Sequence, residues 1–164
     1  MNQFELKDNQ LILKVKKSPL LGRILLYLIT FLSIALPLGG FIVNMISNVG
    51  LSFFHILFLF LFGLIAFYML RVSLWNTYGF ESIQFDNNKL TYVADYRWFK
   101  DKVKEFTFEN INYDIKPVGY EEDNKGVLVI TFDDDKVLET VTKIPISNLE
   151  SLIIRLNNNN KSYL

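Results

Sequence analysis

Three different spacings of apolar and polar residues follow one another along the chain, and each predicts a different element. Ahead of residue 18 the period is two. Leu11, Leu13 and Val15 alternate with Ile12, Lys14 and Lys16, which predicts a strand. Asp8-Asn9-Gln10 is turn chemistry, so Phe4-Glu5-Leu6-Lys7 is a short candidate partner strand ahead of it. A lone hairpin is marginal in water, so the strand at 11–15 requires a sheet supplied later in the chain.

The second spacing is a run with no charge at all. Between Arg23 and Arg71 there is no Lys, Arg, Asp or Glu. This is about twice the ~20 residues that one bilayer crossing needs. One polar stretch, Asn44 to Gly50, interrupts it. The run predicts a transmembrane hairpin over 18–74, with helices over about 20–46 and 51–74. Ser18-Pro19 opens the first helix, with proline at a favourable first-turn position. Pro37, followed by Gly39-Gly40, is expected to kink or loosen its second half. Residues 57–64 are almost entirely Leu and Phe, a surface suited to lipid. The run is too long for the apolar core of a cleaved signal peptide, and a second apolar segment follows it directly.

After residue 75 the period returns to two. Strands are expected over 80–85, 90–99, 103–108, 111–118, 127–132 and 137–146, with polar turns at Asp86-Asn87-Asn88, Lys100-Asp101-Lys102, Glu121 to Gly126 and Asp133 to Lys136. The last segment shifts to helical spacing. Leu149, Leu152, Ile153 and Leu156 form one apolar stripe, with Ser147 and Glu150 as a capping box, and this predicts a helix over about 148–157. Residues 1–17 would then supply strand(s) to a small β-domain formed by 75–164. The fold class is a membrane α-helical hairpin plus an α+β domain.

Charge orients this plan. The first 23 residues carry a net +3 and the chain from Trp75 a net −4, with Arg71 between them. Basic residues flank both outer ends of the hairpin, and its connecting turn has none. The positive-inside rule therefore places both termini of a two-span membrane protein in the cytoplasm. The mildly acidic distal domain speaks against a nucleic-acid binder. With no cysteine, thiol catalysis, disulfides and thiolate metal sites are excluded.

About seven antiparallel strands capped by a C-terminal helix, with a hairpin inserted after the first strand, is a pleckstrin-homology-like (PH-like) pattern. The segments Phe85-Asp86-Asn87-Asn88-Lys89-Leu90, Lys104 to Ile111 and Lys143-Ile144-Pro145-Ile146 carry the likeness. The chain resembles the bacterial PH-like membrane proteins of the YcxB-like group, in which a transmembrane hairpin joins a small cytoplasmic β-barrel or sandwich. Where that group often shows Trp before an acidic-Ile step, this chain has Phe108. The resemblance implies architecture and no defined activity.

Candidate chemistry is sparse. His55 is the only histidine, without the Cys or carboxylate company a metal site needs, and reads as an interfacial or helix-packing residue. Asp133-Asp134-Asp135 lacks calcium-loop spacing and reads as a solvated turn. No catalytic triad, phosphate loop or zinc motif is present, so no enzyme, catalytic residue, cofactor or metal is expected. The distinctive stretch is Tyr96 to Lys104. Arg97, Trp98, Lys100, Lys102 and Lys104 form a basic-aromatic hairpin that either buries its aromatics and solvates its bases, or meets anionic lipid or a partner. The expected function is a non-enzymatic, membrane-anchored interaction module that binds a protein partner or anionic lipid. The alternative is an immunity or accessory subunit that assembles with a membrane-protein partner or with copies of itself.

Overall fold

The computed structural model describes residues 3–7, 9–47, 50, 52–133 and 136–160, without the side chains of Lys102, Glu121, Asn159 and Asn160. The chain divides into two compact units. One joins the N-terminal residues through Lys16 to the chain from Gly79 onward; the other is Lys17–Tyr78.

The second unit is a pair of helices, α1 (Leu20–Ile46) and α2 (Phe53–Tyr78). Both are long and apolar enough to cross a membrane, and only 6% of either apolar window is buried, unlike the core helices of a soluble domain. Helix α1 passes through Pro37 without ending. Helix α2 runs past the expected end at 74. Its closing residues bond back along the helix: Ser73, Asn76 and Thr77 each donate a side-chain hydrogen bond to the carbonyl four residues earlier. Polar pairs link the helices near their outer ends. Ser18 Oγ donates to Asn76 Oδ1 at 2.8 Å, Tyr27 Oη to Thr77 Oγ1 at 3.4 Å, and the Thr30 and Ser73 hydroxyls meet at 3.3 Å. At the other end the Asn44 side-chain amide meets His55 Nε2, while Nδ1 of that ring accepts the Ser52 N–H. His55 thus clasps the two helices, in keeping with a packing role. A cavity of about 310 Å³ lies beside this pair, walled by Pro37, Gly40, Phe41, Phe58 and Phe62.

Among its described residues, the first unit holds nine strands in two antiparallel sheets. The first sheet is a meander of β1 (Phe4–Lys7), β2 (Gln10–Lys14), β3 (Phe80–Asp86), β4 (Lys89–Asp95) and β5 (Lys100–Thr107). The second contains β6 (Ile111–Pro117), β7 (Lys125–Phe132) and β8 (Lys136–Glu139), with β9 (Ile144–Pro145) also on β7. Thus β2 pairs with β3, its neighbour in space, although both helices lie between them in sequence.

Several expectations are corrected here. Among the described residues there are nine strands rather than about seven, and the two sheets are not closed into a barrel, which leaves the sandwich alternative. The helices enter after the second strand rather than the first, because Phe4–Lys7 pairs along its full length with β2. The expected strand over 137–146 is broken between Glu139 and Ile144. Thr140 still donates its N–H to the Leu128 carbonyl, but its side-chain hydroxyl, in place of its carbonyl, accepts the Leu128 N–H, and the next two backbone N–H groups turn to a buried carboxylate. The C-terminal helix, α3 (Ile146–Asn160), starts before Ser147 and ends beyond 157. Ser147 therefore lies inside its first turn and does not cap it.

The predicted stripe on α3 is the face that packs. Leu149, Leu152 and Leu156 are buried, Ile153 is half-buried, and the helix touches β6, β7 and β9. Between the sheets, Phe132 stacks on Phe106 at 4.7 Å and lies against Phe108 at 5.6 Å, so Phe108 serves as a core aromatic.

One charged residue sits within this apolar interior. Glu81 on β3 is fully buried. Its Oε1 accepts the Tyr92 O–H at 2.6 Å and the Val141 N–H at 2.8 Å; its Oε2 accepts the Thr142 N–H at 2.7 Å. The carboxylate bridges the first sheet to the β8–β9 link, and each oxygen has the donor that burial demands. Burial, and then the Glu81 charge, push the pKa of the Tyr92 hydroxyl well above the usual tyrosine range, so it stays a donor. At the surface, Lys7 and Lys14 flank Glu5 and hold its carboxyl down at about 2.

Candidate functional site

The basic-aromatic hairpin is the turn between β4 and β5. Its conformation follows from the residues that open it. The Asp95 carboxylate accepts the Arg97 N–H at 2.6 Å, and the Tyr96 N–H donates to the Phe99 carbonyl at 3.0 Å. Together they hold Arg97 at φ +75°, a left-handed conformation that aspartate-led turns can stabilise. The Tyr96 ring is buried and stacks on Phe99 with centroids 4.7 Å apart. That stack fills the interior side of the turn and leaves Trp98 70% exposed.

On β5 the ladder slips. Tyr92 pairs with Lys104, but Ala94 pairs with Asp101, so two residues of β5 face one of β4. This bulge leaves Val103 61% exposed. Lys100 lies 4.0 Å from Asp95. Lys104 is exposed and has no ion pair among the described residues. The backbone places Lys102 in the bulge; its side chain lies outside the described part of the structure.

The structure therefore divides the aromatic cluster. Tyr96 and Phe99 serve the core, and Trp98 faces out among Arg97, Lys100 and Lys104. Sequence reasoning missed Val103, whose exposure comes from the bulge, and Asp95, which shapes the turn. An Asp two residues before a non-glycine turn position was the available signal for Asp95.

The sheet register fixes the position of the turn. Lys14 pairs with Phe80, Phe80 with Asp95 and Asp95 with Lys100. The Val15 N–H donates to the Gly79 carbonyl, one step further along. The turn thus occupies the end of the first sheet at which the chain departs toward α1 and returns from α2. The turn after Asp86 lies at the opposite end.

The remaining acidic clusters serve the fold where they are described. Asp133 spends its carboxylate on the Glu109 and Asn110 N–H groups, and so ties the β5–β6 corner; Asp134 and Asp135 lie outside the described residues. Glu121–Asp123 forms a single 3-10 turn. Among the described residues, no group of three His, Asp or Glu side chains is placed to hold a metal ion. No family model matches the chain, and no curated protein matches it.

Proposed function

We propose that this protein is a non-enzymatic interaction module anchored in a membrane by α1 and α2, with both termini cytoplasmic. The observation that carries the reading is the insertion of two exposed apolar helices between adjacent paired strands, β2 and β3, of a domain that presents an exposed basic-aromatic turn. The charge distribution supports the orientation: basic residues flank the outer ends of the helix pair, and its connecting turn lacks them. The strand arrangement supports a PH-like assignment of the YcxB-like kind. With β1 and the two-residue β9 set aside, four strands precede three strands and a helix. On this reading β1 is an addition that covers the edge of β2, and the helices follow the first strand of the PH-like set.

Two measurements test the reading. A reporter fused after Leu164 should be active only if it is of the cytoplasmic type; activity of an exported reporter there would reverse the topology. Purification from mild detergent is expected to bring down a stoichiometric partner, or else to yield a protein that binds bilayers by its β-domain. A chain that does neither is not an interaction module.

A further inference from the structure

We infer that the β4–β5 turn docks on the anionic headgroups of the leaflet from which the chain's own helices emerge. Trp98 and Val103 enter the interfacial layer, and Arg97, Lys100 and Lys104 face the phosphates. The inference rests on the anchored-module reading above and names the surface that the turn recognises.

Three independent observations lead there. The first is composition at one place: an exposed tryptophan and an exposed valine stand among three cationic side chains, the mixture that favours a headgroup boundary over water. The second is the shape of the turn. Asp95 is occupied by the Arg97 N–H and lies beside Lys100, so its charge is partly neutralised within the turn, and residues 95–104 keep a net +2. The Tyr96–Phe99 stack makes Trp98 project without leaving a hole in the core.

The third is register. Phe80 lies two residues after the end of α2, and Asp95 is its partner one strand away, a spacing of about 4.8 Å. Lys16, exposed, stands at the same end of the sheet. If α2 crosses the bilayer, the turn is tethered within a few residues of the leaflet surface. The local lipid concentration then exceeds that of any freely diffusing partner. A protein partner would need no such placement, and at the opposite end of the sheet Phe85 and Phe106 pack against other rings, so among the described residues no exposed aromatic stands there.

The chain has no cysteine, so one can be introduced cleanly. The full chain with Trp98→Cys, carrying a nitroxide of comparable size, would be placed in nanodiscs of phosphatidylcholine with or without phosphatidylglycerol. Collision with oxygen is then compared with collision with a water-soluble nickel chelate. The label at 98 should lose nickel access only in the anionic discs. A label at Asn88→Cys, at the far end of the sheet, should keep it in both. Adding Lys100→Gln and Lys104→Gln should lower the docked-to-free ratio roughly 25-fold, from the usual worth of two cations near an anionic surface. Salt at ~1 M, where the screening length is about 3 Å, should reverse the protection too. Equal nickel access at 98 in both compositions overturns the proposal, as does protection that survives the two lysine changes. If docking fails while a stoichiometric partner still copurifies, the module reading stands and the lipid assignment falls. If neither occurs, both fall.

Discussion

Glu81→Ala is expected to lower the unfolding free energy of the β unit by about 3–5 kcal/mol, the range seen when one member of a buried charge and hydrogen-bond set is removed. The change deletes the acceptor for three donors at once. The Tyr92 hydroxyl and the N–H groups of Val141 and Thr142 would stay buried without partners. Tyr92 and Thr142 are themselves almost fully buried, so water reaches them poorly. Glu81→Gln keeps the shape but offers one acceptor oxygen in place of two, and should fall between the two. Melting of the full chain in detergent, followed by a signal from the β unit, checks the order: native, then Gln, then Ala. An alanine variant within about 1 kcal/mol of the native protein would mean that the link at 140–143 finds other acceptors.

Leu13→Asp should be at least as damaging. Leu13 is fully buried on β2 and stands directly opposite Glu81 on β3. The variant places a second carboxylate about 5 Å from the first within an apolar interior, so repulsion adds to the burial cost, and a loss above ~4 kcal/mol is expected. Leu13→Asn carries the polarity without the charge, and its smaller loss would isolate the repulsion. Because the two positions touch, their effects will not add. The same variant tests whether the segment before the helices belongs to the β unit. A chain truncated to begin at Trp75 that melts like the full chain would show that β2 contributes nothing.

The elements that rest on local chemistry could be read from the sequence. The uncharged run from residue 24 to 70 sets both helices, and the 149–152–153–156 stripe sets the buried face of α3. What escaped depends on partners far away in sequence. Nothing local in Val137–Ile146 announces that Val141 and Thr142 will turn toward a carboxylate sixty positions earlier. Glu81 did carry a signal: it shares strand parity with Ile83, so alternation places a charge on the core face. The basic-aromatic turn was legible as a composition. Which of its rings faces out was not, since that follows from the stack of Tyr96 on Phe99.

The pairing of β2 with β3 across the inserted helices has a consequence for the order of assembly. Taken alone, β2 would have to find a partner across residues 15–79, a loop whose closure is entropically unfavourable. The helix pair shortens that search. Once it has formed, Ser18 and Asn76 are held together, with the side-chain contact at 2.8 Å and a backbone contact at 3.4 Å, so only a few free residues remain on either side of the strands. By the logarithmic dependence on loop length this is worth on the order of 2 kcal/mol to the pairing. Although β2 is made before either helix, it is therefore among the last strands to settle. It waits in the unfolded state while the ribosome delivers both helices, and the sheet zips only after they have met.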